Sequence, residues 1–84
     1  MRNSADFGQF ARLKRENADI SQEDVAHEMG YKHRSEISRK ETGLSNWKLW
    51  ECCILASMLD IPLSQLMAEW EKWAEGLPSS TGLP

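Results

Sequence analysis

Between Lys32 and Lys40 the chain gathers side chains suited to binding a polyanion. Lys32, Arg34, Arg39 and Lys40 stand there against a single acid, Glu36, with His33 beside them. If the segment is helical, Arg34, Ser35 and Arg39 fall at i, i+1 and i+5 on a related outward side, and Ile37 points back. An arginine offers a planar fork of donors that matches guanine O6 and N7; a serine reads several base edges with less discrimination. A solvated face with incidental ion pairs is the plain alternative for two arginines on a short helix. Other chemistry finds less support. Cys52 and Cys53 are adjacent, and neighbours in one helix cannot be bridged without distorting the backbone. There is no CxxC pair, and neither His27 nor His33 lies at ligand spacing to a cysteine. Reduced structural cysteines, no metal and no cofactor are therefore expected. No Ser/His/Asp or Cys/His arrangement assembles, and a domain this small has little room for a deep pocket, so no catalytic residue and no enzyme is expected.

The chain has 84 residues, of which 40% are hydrophobic, 27% charged and 8% aromatic, with a formal net charge of −3. That composition suits one globular domain. So short a chain buries roughly 60–65% of its unfolded surface and tends to lean on a partner or a second copy. No run of about 18 apolar residues is present, so no membrane span is expected. The opening MRNSADFGQF lacks the apolar core of a secretory signal, and no phosphate-cradling glycine motif occurs. The net charge argues superficially against nucleic acid, but its distribution matters more. The acidic excess lies in the second half, where Lys48 and Lys72 face Glu51, Asp60, Glu69, Glu71 and Glu75.

These patterns predict an all-α, compact five-helix domain over residues 6–77, between a disordered stretch at 1–5 and a disordered tail at 78–84. Asp6 caps a first helix to about Asn17, carrying Phe7, Phe10, Ala11 and Leu13. Asp19 suits a left-handed corner. Ser21 caps a second helix over about 22–29, with Glu23 and Asp24 in its first turn and Gly30 at its end. A third helix spans about 34–41, with Ile37 its one large aliphatic anchor. A fourth, capped by Asn46, covers about 47–59, with Leu49, Cys52, Ala56 and Leu59 as its core stripe. It is apolar nearly all round, which predicts burial on more than one side. The fifth starts at Pro62 and runs to about 75, and its apolar stripe continues through Met67, Trp70, Trp73 and Leu77.

Two short helices joined by a glycine turn, the second polar and basic, have the form of a helix-turn-helix. Here the sequence resembles the lambda-repressor-like (Xre/Cro-type) DNA-binding family over about residues 7–67. Ile20 to Ala26 resembles the family's LSQEELA opening of helix two. Gly30 matches its turn glycine. Arg34 to Gly43 resembles a recognition helix of the RSTISRIERG type, and Leu55 to Leu66 resembles IAKALGVSLDEL. The turn is one residue longer than the common pattern, and Lys40 and Lys14 stand where relatives are usually apolar. The resemblance implies base reading by Arg34, Ser35 and Arg39, with Ser38 and His33 next in line. It implies phosphate contacts by Gln22, Asn46 and Lys48; Lys40 is added on the view that its stem covers the core edge while its ammonium reaches out. It also implies a structural pair, Arg15 with Glu41, holding the reading helix at its angle.

Trp47, Trp50, Trp70 and Trp73 all lie in the last two helices. One small domain cannot cover both apolar stripes, and tryptophan is enriched in interfaces. Trp50, Ile54, Met67, Trp70 and Trp73 are therefore expected at a homodimer interface. The resulting expectation is a cytoplasmic regulator, bacterial or phage-encoded and nucleoid-associated, most simply a repressor, that binds a pseudo-palindromic site on double-stranded DNA as a homodimer. The alternative is a protein-interaction module or antitoxin whose aromatic C-terminal helices bind a partner protein; the acidic total favours it, and Arg34 and Arg39 disfavour it.

Overall fold

A computed structural model describes residues 4–76. These form five α-helices, α1 (Ser4–Asn17), α2 (Gln22–Met29), α3 (Ser35–Glu41), α4 (Leu49–Met58) and α5 (Leu63–Glu75), with no strand among the described residues. The all-α class and the number of helices match the sequence reading. The start of α1 does not: it begins at Ser4, so Asp6 lies within the helix, and residues expected to be disordered are helical. Residues 1–3, Leu77 and the tail at 78–84 lie outside the described residues.

Local chemistry accounts for most boundaries. The Ser21 hydroxyl accepts the Asp24 amide at 3.0 Å and starts α2. Gly30 ends it at φ 81°, a left-handed conformation that glycine adopts without a Cβ penalty. Asp19, Gly43 and Asp60 take the same left-handed conformation at the three other corners, with φ 58°, 86° and 61°. The cap of α4 departs from expectation. The helix starts after Lys48, whose backbone N–H is taken at 2.8 Å by the Glu51 carboxylate one turn on, so Asn46 does not cap it. Pro62 stands just before α5 rather than in its first turn.

Ile37 is fully buried and anchors α3, as its solitary position implied; burial of such a side chain contributes roughly 1.5–3 kcal/mol. Around it close Phe10, Ala11, Val25, Ala26, Met29, Leu55, Ala56 and Leu66. Leu49 does not join them. It is 71% exposed, because the buried side of α4 is defined by Glu51, Cys52, Leu55 and Ala56, about a quarter turn away.

The aromatic residues settle differently from the interface reading. Phe7 and Phe10 lie three apart on α1 and present two rings toward α5. Trp70 packs on both, at ring-centroid distances of 5.2 and 5.6 Å, Trp73 lies 5.7 Å from Phe10, and Trp47 meets Phe7 edge-on at 5.4 Å. Trp70, Trp73, Met67 and Ile54 are thus half-buried and packed against this chain's own core. Of the five residues expected at a dimer interface only Trp50 is exposed, at 44%, with its ring tilted against Tyr31.

Candidate functional site

The segment from Tyr31 to Lys48 wraps around α3. His33, Arg34, Ser35 and Arg39 are exposed, Ser38 is half-buried, and Ile37 points inward, so the side expected to face a ligand does face solvent. The Arg39 guanidinium makes no ion pair among the described residues, nor does the ammonium of Lys32 or of Lys48. Glu36 is also exposed on α3, and Glu23 and Asp24 on α2, so the surface is mixed at its edges.

Arg34 is held. Its Nη1 donates to the Gln22 side-chain Oε1 at 3.1 Å, and Gln22 Nε2 donates to Glu41 Oε1 at 2.9 Å. Glu41 in turn accepts Arg15 Nε at 2.7 Å and Nη2 at 3.2 Å, and Arg15 Nη1 reaches the Ile20 carbonyl at 2.7 Å. The pair that the resemblance implied is therefore present, bidentate and buried. Gln22 was expected to touch phosphate directly. Here its Oε1 orients Arg34 and one side-chain amide N–H is committed to Glu41, which leaves the second N–H of that amide for a ligand.

Lys40 overturns its expected role. Its side chain is 6% exposed, and its Nζ lies 3.0 Å from Glu51 Oε2 and 2.9 Å from the Asn46 carbonyl oxygen. It points into the protein between α3 and α4, not toward a phosphate. Glu51, itself fully buried, also accepts the Tyr31 hydroxyl and the Lys48 amide, so the buried carboxylate is saturated with donors. The physical reason is compensation: a lysine in a place that suits an apolar side chain needs a counter-charge, and α4 supplies it. Consecutive residues of α3 thus grip two different helices with opposite charge, Glu41 holding Arg15 of α1 and Lys40 holding Glu51 of α4.

The cluster has a readable titration. Burial, then the hydrogen bond to Glu51 and its negative charge, push the Tyr31 phenol up to about 12. An unfolded phenol ionises near 10, so the folded state favours the protonated form. The contribution is complete below pH ~10 and is lost as pH rises from there through ~12. Tyr31 is the only tyrosine, so phenolate absorbance reports it alone. Its midpoint is expected near 12, or together with unfolding; a midpoint near 10 in protein that keeps its native dichroism would contradict this packing.

Among the remaining candidates, Asn46 and Lys48 are exposed in the segment after α3. Cys52 is a buried thiol, raised to about 11 by that burial and by the adjacent charges, while Cys53 is exposed; both are free. No group of three or more His, Cys, Asp or Glu side chains among the described residues is arranged to hold a metal ion, and no single described helix is long and apolar enough to cross a membrane. The chain matches no protein-family model, and comparison with curated proteins finds no match.

Proposed function

We propose that the chain is a sequence-specific DNA-binding regulator of the helix-turn-helix kind, with α3 as its reading helix, acting from the cytoplasm as a homodimer on a two-fold operator. The observation that carries this reading is the division of α3. One side is locked to the body by Ile37, Lys40 and Glu41, and the other presents Arg34, Ser35 and Arg39 to solvent. Seven residues span about 10 Å, which suits a major groove ~12 Å wide, and the N-terminal part of such a helix reaches base edges. Arg39 offers a free fork to guanine. Arg34 offers what its bond to Gln22 leaves over, and that bond fixes its direction. Lys48, Asn46 and the unused N–H of Gln22 would meet phosphates and set the register. Occupying the operator is the simplest route to repression.

The test is selection of bound duplexes from a random pool, for which a pseudo-palindromic site is expected. On that site Arg39→Ala should cost ~1–3 kcal/mol and relax preference at one base pair, whereas Lys48→Ala should weaken every sequence alike and lower the salt slope by about one. Indifference of specific and non-specific binding to both changes would refute the reading. The exposed Leu44 and Leu49 favour a second one, a module that binds a partner protein; a tightly co-purifying polypeptide together with no affinity for any duplex would select it.

A further inference from the structure

The exposed side of α4 carries no charge along its length. Leu49, Trp50, Cys53 and Ser57 follow at i, i+1, i+4 and i+8, and all four are exposed. At its N-terminal end this face protrudes, with Leu49 71% and Trp50 44% exposed. At its C-terminal end it hollows: Cys53, Ser57, Asp60, Ile61 and Pro62 line an open depression where the chain turns into α5. Its two ends are bounded by opposite charges, the exposed Lys48 and the exposed Asp60. Each of these pairs is centred on the same place, since Cys53 lies midway between Leu49 and Ser57 and Ile54 midway between Lys48 and Asp60.

A surface arranged in that way complements itself. A two-fold axis through its centre maps each end onto the other end of a second copy. It would set the Leu49–Trp50 prominence over the hollow twice and bring the N-terminal end of each α4 toward Asp60 of the second copy, with helix dipoles antiparallel and no like charges apposed. We propose that the second copy of this chain binds here, α4 packing antiparallel on α4 with Cys53 beside the axis. This deepens the two-copy reading above and rests on it, but it does not depend on DNA. It also relocates the interface from Trp70 and Trp73, which α1 already covers.

The experiment reads mass and cross-linking. Wild-type protein at micromolar concentration should show twice the 9.6 kDa of the chain. A short bis-maleimide should convert it to a covalent dimer through Cys53, since Cys52 is buried. Cys53→Ser should abolish that product without changing the mass in solution. Leu49→Glu and Trp50→Glu alter exposed side chains, so both should keep the helical dichroism of the wild type. Each should raise the dimer dissociation constant by about tenfold or more, with loss of the cross-link. A monomeric wild type overturns this interface and the two-copy reading together. A dimer that survives both substitutions, or in which Cys53 does not cross-link, overturns this interface alone and leaves the two-copy reading standing.

Discussion

Glu51→Met is expected to cost about 3–5 kcal/mol, the range for removing one partner of a buried ion pair. The substitution leaves the Lys40 ammonium in the interior without its counter-charge, held by the Asn46 carbonyl and the face of the Tyr31 ring, and it strips the Tyr31 hydroxyl and the Lys48 amide of their acceptor. Lys40→Met should cost less, because Glu51 keeps the Tyr31 and Lys48 donors. The double variant Lys40→Met with Glu51→Met should recover most of the loss, since replacing both charges with apolar side chains of similar volume is often neutral or stabilising. Acid denaturation supplies an independent reading. Burial works to raise the Glu51 carboxyl, but the Tyr31 hydroxyl, the Lys48 amide and Lys40 outweigh it and hold it below the usual carboxylate range. A group depressed in the folded state stabilises above its ordinary pKa and loses that contribution as pH falls through the depressed one. The wild type should therefore lose stability in that acid window, and the double variant should lack this component. Urea titrations followed by tryptophan fluorescence measure all three variants. A Glu51→Met cost within ~1 kcal/mol of zero, or a double variant as unstable as the single, would show that the pair does not hold α3 to α4.

What the sequence made legible follows from the reach of each signal. The bounds of α2 were readable because Ser21 and Gly30 act on their own backbone, and the inward turn of Ile37 was readable because α3 has no other large aliphatic side chain. The Arg15–Glu41 pair came through the resemblance, and no spacing rule would have found residues 26 positions apart. The packing of Trp70 and Trp73 on α1 was not legible, because a helical stripe says which side is apolar and not what covers it; Phe7 and Phe10, far away in sequence, lie against it. Lys40 stands where an apolar side chain is usual, and its neighbours in sequence suggest solvent as the place for its charge, whereas the structure buries it. The signal that would have corrected this was Glu51, a lone acid in an otherwise apolar helix, since a buried carboxylate requires a partner. The link from Gln22 to Arg34 left no trace, because a polar residue in a first turn looks the same whether it faces water or braces a neighbour.

Gly8→Ala should destabilise the chain although it replaces a glycine inside a helix, a change that ordinarily gains roughly 1 kcal/mol. Gly8 is buried where α1 crosses the end of α3, and a Cβ at that position would lie 2.5 Å from the backbone carbonyl oxygens of both Lys40 and Glu41. No flexible side chain is available to move aside; the helices themselves must separate. They resist, because the side chains of those same two residues are bound to Glu51 and Arg15. Overpacking typically costs 1–3 kcal/mol, occasionally more, so a net loss near 2 kcal/mol is expected. For a domain of this size each kcal/mol lowers the melting temperature by about 4–8 °C. Gly76→Ala is the matched control: among the described residues its Cβ would meet only the Trp73 carbonyl oxygen at 3.5 Å, an ordinary contact, and its stability should stay near that of the wild type. On the proposed function, the effect on DNA binding should exceed the effect on folding. If Gly8→Ala folds, α3 is displaced from α1, and the chain Arg15–Glu41–Gln22–Arg34 that aims Arg34 is stretched with it. Affinity for the selected operator should then fall further than the folded fraction does, while non-specific binding at low salt should change little. Gly8→Ala protein that melts with the wild type and binds the operator equally well would show that the close crossing of α1 and α3 does not set the angle of the proposed reading helix.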